Sequence, residues 1–295
     1  MRHENSVNDM VLLKVKMGIV CGAFLAIIAL SQSAYAGAEC ASLGGACDDG
    51  GWDPLAKLDE IGTGKYDQDV SESSKEHISG SLAIPYQEFM EGDSLKSVPE
   101  IAEILGNIGI SQDDFLVIYG QCLPCGGGPS ASAYVYWMMK SLGHKNVRIL
   151  NGYVQDWKDK GLPVSSSTTV RPAAEYTPQF TDRLIGNYEY VKSSQPQVVD
   201  ARTVQEYGSG SIPGAISIPY ESVLDGDRIR NVNDLEKRFS ILNKELPVVA
   251  YTNTGFKGSV VWLALEIIGY DARLYSYQDW MANQLTEQKS SDTQE

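Results

Sequence analysis

Basic residues are scarce in this chain. Its 295 residues hold 24 lysines and arginines against 38 aspartates and glutamates, a formal net charge of −14 at pH 7. A chain this acidic repels nucleic acid and anionic lipid surfaces, and no basic stripe reverses that. Long apolar runs are scarcer still. The one conspicuous example, GIVCGAFLAIIAL at residues 18–30, is too short for a comfortable membrane span. Cysteine is rare, with five in all, and histidine rarer, with three. His144 follows a helix-ending glycine, a place where imidazole caps carbonyls or faces solvent. Gly126, not histidine, follows the pair Cys122-x-x-Cys125, which speaks against covalent haem.

What the N-terminus does hold is an export pattern. Arg2, Lys14 and Lys16 precede the apolar run, and Ala34-Tyr35-Ala36 follows it as a small-x-small cleavage site. Residues 1–36 are read as a signal peptide, with Gly37 as the first mature residue. The alternative is an uncleaved anchor, which would be the chain's one attachment to a membrane. Glu39 before Cys40 argues against lipidation. The signal takes Cys21 away, and with it more positive than negative charge. The expected location is the periplasm, the cell envelope or the extracellular space. Four cysteines survive: Cys40, Cys47, Cys122 and Cys125. In an oxidising compartment disulfides are open to them. Cys40 and Cys47 read as a short staple in a Gly-rich segment. Cys122 and Cys125 can also pair, and the sequence does not choose. Zinc on all four would require the N-terminal segment to fold back. The reading includes no metal and no cofactor.

The richest chemistry lies in Phe115-Leu-Val-Ile-Tyr119-Gly-Gln-Cys122-Leu-Pro-Cys125-Gly-Gly-Gly-Pro-Ser130. An apolar run, two thiols, three glycines and a helical pattern follow one another. That order predicts sulfur at a strand end just before a helix N-terminus, where backbone N–H groups and the helix dipole favour an anion. A thiolate there has a lowered pKa and a raised reactivity. Three readings follow: a nucleophilic Cys125, a redox pair, or a structural disulfide.

The chain also repeats itself. His77-Ile-Ser-Gly-Ser-Leu-Ala-Ile-Pro-Tyr86 matches Ser211-Ile-Pro-Gly-Ala-Ile-Ser-Ile-Pro-Tyr220. Phe115-Leu-Val-Ile-Tyr119 matches Pro247-Val-Val-Ala-Tyr251, and helices ending at Gly143 and Gly269 match in turn. Val147-Arg-Ile-Leu150 with Trp157 matches Ala272-Arg-Leu-Tyr275 with Trp280. In the second copy, strands are predicted at 198–200, 215–218, 248–251 and 273–275, and helices at 232–242 and 258–268. Such alternation implies α/β domains with a mainly parallel sheet and ligands at the strands' carboxyl ends. The expected organisation is an extension at 37–74, a thiol-bearing domain at 75–164, a linker at 165–179, a second domain at 180–285 and a disordered tail at 286–295. At the point where the second copy has its strand 198–200, the first offers only residues 64–67, so that strand is expected to be lost or rebuilt.

These motifs resemble the tandem rhodanese family of sulfurtransferases. Val198-Val-Asp-Ala-Arg202, Glu206-Tyr207 and Gly210-Ser-Ile-Pro-Gly-Ala-Ile-Ser-Ile-Pro219 are similar to its first signature, and Leu150-Asn-Gly152 with Trp157 and Gly161-Leu-Pro163 to its closing one. The resemblance implies two tandem rhodanese-like α/β domains, each a mainly parallel sheet flanked by helices. It also implies a reaction: a donor such as thiosulfate gives sulfur to a cysteine thiolate, and the persulfide passes it to cyanide or a thiol. The family's cysteine usually lies in the second domain, but there Thr252 holds the position, in a loop with Lys257, and an alcohol cannot form a persulfide. Arg202 matches a substrate-binding arginine whose cysteine partner is gone. The second site is therefore read as degenerate. In the first domain, counting back from Gly143 and Gly269 puts Cys125 nearer than Cys122 to the place of Thr252. Gly126, Gly127, Gly128 and Ser130 are the expected cradle, with Cys122 as a resolving thiol. No Arg or Lys follows within that loop. Two other functions stay open: a thiol–disulfide or persulfide relay to a thiol-bearing envelope protein, and a binding module without catalysis.

Overall fold

Strands form where the Val, Ile and Leu runs fall, and helices form between them. The computed structural model describes residues 24–30, 55–56, 76–120, 128–167 and 169–292. The first half contributes β1 (Phe24–Leu30), β2 (Leu55–Ala56), β3 (His77–Ile78) and β4 (Ser81–Pro85). A small hairpin follows, β5 (Met90–Glu91) with β6 (Ser94–Leu95), then helix α1 (Val98–Asn107) and β7 (Phe115–Gly120). Helix α2 (Ser130–Ser141), β8 (Val147–Leu150), α3 (Val154–Lys158) and β9 (Val164–Ser165) complete it. The sheet order is β2-β8-β7-β1-β4. Capping sets the start of α1: the Ser97 N–H donates to Glu100 at 2.9 Å, in a reciprocal box.

The second half repeats the plan: α4 (Tyr188–Ser193), β10 (Gln197–Asp200), α5 (Val204–Gly208), β11 (Ile216–Ser217). A hairpin, β12 (Leu224–Asp225) with β13 (Arg228–Ile229), precedes α6 (Val232–Arg238) and β14 (Val248–Thr252). Helix α7 (Gly258–Ile267), β15 (Ala272–Ser276) and α8 (Tyr277–Asp292) end the chain. Its sheet runs β11-β10-β14-β15, all parallel. Every residue of β14 is buried, as a strand covered on both faces requires.

Helices α2 and α7 are apolar around most of their circumference, which fits helices with no solvent face. They pack on each other as well as on their sheets, with Tyr136 and Trp262 ring centroids 6.0 Å apart. The two halves thus share one core. The segment between them is strapped down. Ala174 N donates to Gly106 O at 2.9 Å, Gln179 N to Leu142 O at 2.8 Å, and Arg171 pairs with Asp114 at 3.0 Å. A Cβ on Gly143, which has φ +74°, would come within 2.3 Å of Gln179 O, so that helix end needs glycine.

Two sequence expectations change, one is narrowed and one is met. The helix expected over 232–242 ends at Arg238, because Leu242 N turns back to Phe239 O and both side chains go into the core. The expected disordered tail is largely helical: α8 runs to Asp292, and Glu287 holds Lys192 at 2.6 Å and Tyr188 at 2.7 Å. His144 does not face solvent. It is fully buried between Asp114 O and the Tyr176 hydroxyl, and burial lowers its pKa. The slot of β10, between β4 and β7 in the first half, is filled by β1, antiparallel to both neighbours where β10 is parallel. That strand comes from the apolar run of the expected signal. Residues 64–67, the weak candidate for this strand, lie outside the described residues.

Candidate active site

The carboxyl ends of β7 and β14 are where the sequence places its two related sites. Cys122, Cys125, Gly126 and Gly127 lie outside the described residues, as do Cys40 and Cys47. Their frame is described. β7 ends at Gly120, and the chain re-enters at Gly128, with φ +50°, and Pro129 before α2. The N-cap residue of α2 is Pro129, which supplies no side-chain cap. Ser130, expected in the cradle, is buried, and its carbonyl accepts from Ser259 Oγ at 3.3 Å. Ser132 Oγ donates to Pro129 O at 2.9 Å.

The corresponding place in the second half is closed by its own residues. Thr252 is buried, and its Oγ1 accepts from Gly258 N at 3.1 Å, capping the entry to α7. Asn253 Nδ2 donates to Glu206 at 2.7 Å. Phe256 packs on Tyr86 and Tyr134 of the first half, with centroids 4.8 and 5.4 Å away. Lys257 Nζ donates to the Tyr220 hydroxyl at 2.8 Å. Arg202 is buried and ion-paired. Its Nε and Nη2 donate to Asp200 at 3.0 and 2.5 Å, and Nη2 also reaches Gly210 O at 2.7 Å. Tyr277 lies under it at 3.9 Å. Burial works against its charge, but Asp200 outweighs burial and raises its pKa. The Tyr251 hydroxyl closes the cluster on Asp200 at 2.5 Å, its pKa raised by burial and then by that carboxylate. An arginine held this way is paired with Asp200 and is not a free cation.

Sequence reasoning missed the β12–β13 hairpin. A Cβ built on Gly128 would meet Leu224 Cδ1 at 3.2 Å and Asp227 O at 3.7 Å. The Tyr153 hydroxyl donates to Asp227 O, and Arg228 pairs with Asp156. Arg228 Nη1 donates to Asn151 O at 3.2 Å and Ile229 N to Asn151 Oδ1 at 3.3 Å. The second half thus drapes a hairpin over the carboxyl end of the first sheet, between the re-entry of the thiol loop and the loop after β8. The one sequence signal was the turn Asp225-Gly226-Asp227-Arg228, which on its own marks a hairpin and not a site.

Comparison with known proteins agrees with this geometry. A Rhodanese-like domain model matches residues 184–283. A Mycobacterium tuberculosis protein named "Putative thiosulfate sulfurtransferase" is 26% identical over 70% of this chain and 82% of its own. The sulfur carrier protein TtuD of Thermus thermophilus is 26% identical over 74% of this chain and 84% of its own. The crystal structure of SseA from Escherichia coli, a 3-mercaptopyruvate sulfotransferase described as having the rhodanese fold, superposes with a TM-score of 0.60 at 22% identity, covering 68% of this chain and 82% of that one.

Proposed function

This chain belongs to the rhodanese-like sulfurtransferase family, and from that premise we propose that it transfers sulfane sulfur through Cys125, in the first of two tandem rhodanese-like domains. The observation that carries the reading is the contrast between the two loops. Thr252 has no sulfur and gives its oxygen to Gly258, whereas the loop after β7 has two thiols before a helix whose N-cap residue, Pro129, supplies no side-chain cap.

The chemistry follows from that place. The Cys125 thiolate attacks the outer sulfur of a donor such as thiosulfate. The donor's S–S bond breaks, sulfite leaves with the electron pair, and a cysteine persulfide remains. An acceptor such as cyanide then attacks the outer sulfur, thiocyanate leaves, and the thiolate returns. Backbone N–H groups of the glycine run and the dipole of α2 stabilise the anionic sulfur. Cys122 is the resolving thiol, able to accept the sulfur or close a disulfide.

The same reading places the protein outside the cytoplasm, processed after Ala36, with a thiol-bearing envelope protein as acceptor. The sulfur-carrier name of the Thermus relative supports transfer to another protein. Cyanolysis tests the reading. Thiocyanate formation from thiosulfate is expected in the native chain and lost in Cys125→Ser. Formation that survives this substitution excludes Cys125 as the nucleophile.

A further inference from the structure

One segment holds two incompatible roles. Residues 24–30 form the C-terminal part of the apolar run that the export reading takes as the core of a signal. In the folded chain the same residues are β1, and β1 is no edge strand: β4 lies on one side of it and β7 on the other. The register is continuous on both sides, from Phe24↔Pro85 to Ile28↔Ser81 and from Leu25↔Gly120 to Leu30↔Phe115. A strand between two paired neighbours has its backbone N–H and C=O groups taken up by their ladders. An apolar run that enters a bilayer has to be exposed first and then satisfy those groups internally, as a helix does. Residues 24–30 cannot do both at once.

The pairing also sets an order of events. Both partners follow β1 in the chain, and the farther one, β7, ends only at Gly120. At about 5–20 residues per second, on the order of ten seconds of synthesis separate Leu30 from Gly120. Until then β1 has no slot to enter, and the run is available for export. Pairing across such a sequence separation is also slow to form. The second half has no such dependence. Its slot is filled by β10, from the same half and parallel to β11 and β14.

We infer that β1 is a retention switch. A chain that folds before export buries its own signal as an interior strand, and stays as a folded protein with residues 1–36 intact in the compartment where it is made. A chain that is exported first loses this strand and completes its first sheet in another way. The inference rests on the export reading of residues 1–36 and on no property of the thiols.

Two preparations of the unaltered full chain test it. One is folded; the other is unfolded in urea. Each is diluted into signal peptidase in detergent micelles that leave the near-UV spectrum of the folded chain unchanged. The unfolded chain is expected to be cut after Ala36, and the folded chain at least about tenfold more slowly, because the strand has to open before the run reaches the micelle. Hydrogen exchange of the folded full chain reads the strand itself: amides of residues 24–30 are expected to be protected as strongly as those of β7. Equal cleavage of the two preparations, or exchange of residues 24–30 at unfolded-chain rates, overturns the inference and leaves the export reading standing. Cleavage of neither preparation shows that residues 1–36 are no leader, and the inference falls together with the export reading.

Discussion

At the scale of single residues, the two loops differ by what occupies one position. Thr252 is isosteric with valine but holds a helix entry through Gly258 N. Thr252→Val is expected to cost about 1 kcal/mol of stability and to leave cyanolysis unchanged. A chemical denaturation curve beside the thiocyanate assay checks both. That this position has no sulfur was legible in the sequence, because an alcohol in place of a thiol is a matter of chemistry. That Arg202 is sequestered was not legible. The signature Val198-Val-Asp-Ala-Arg202 is the same string whether its arginine faces a ligand or doubles back on Asp200, and only the fold brings Tyr251, Tyr277 and Gly210 O around it.

At the scale of elements, repetition made most of the architecture readable. Strands β10, β14 and β15 sit within a residue or so of the apolar runs that announce them, because a strand covered on both faces needs such a run. Two of the elements that escaped show why. α8 is polar over its last turns and earns its order from contacts with α4, so no periodicity marks it. β1 was read as a leader. Cleavage after Ala36 would remove it and leave β4 and β7 with unpaired backbone groups facing a gap, a cost that a sheet interior does not sustain. Another segment must then take the slot. Intact mass of the secreted protein is expected to correspond to a chain starting at Gly37. A mature chain that retains residues 24–30 would make β1 a permanent strand and remove the export signal from the account.

At the scale of the molecule, the two halves act as one body through α2 and α7, and near that contact sits a titratable group. Burial raises the Glu266 pKa to about 7, against a hydrogen bond from Ala272 N and the charges of Arg183 and Lys140 that pull it down. Lys140 on α2 has its own pKa lowered by burial, and the Glu266 charge opposes that shift. A buried carboxyl with a raised pKa binds its proton more tightly folded than unfolded. Its contribution is therefore full below about 4.5 and lost as pH rises towards 7. The native chain is expected to lose on the order of 2–3 kcal/mol between pH 5 and 8 from this group, and Glu266→Gln to flatten that part of the profile. Thermal melts across this range check the sign: a native chain that gains stability over the same interval contradicts it.

The shared body also explains why a half without a thiol persists. It holds Phe256 against Tyr86 and Tyr134, and it lays a hairpin over the other half's strand ends. On the proposed reading, all of this serves a sulfur on Cys125. Mass spectrometry of the mature protein after thiosulfate treatment, digested without reductant, reads that sulfur directly. The expected result is one extra sulfur atom on the peptide holding Cys125, released by cyanide as an equal amount of thiocyanate; no added sulfur, or sulfur still gained by the Cys125→Ser chain, would contradict the account.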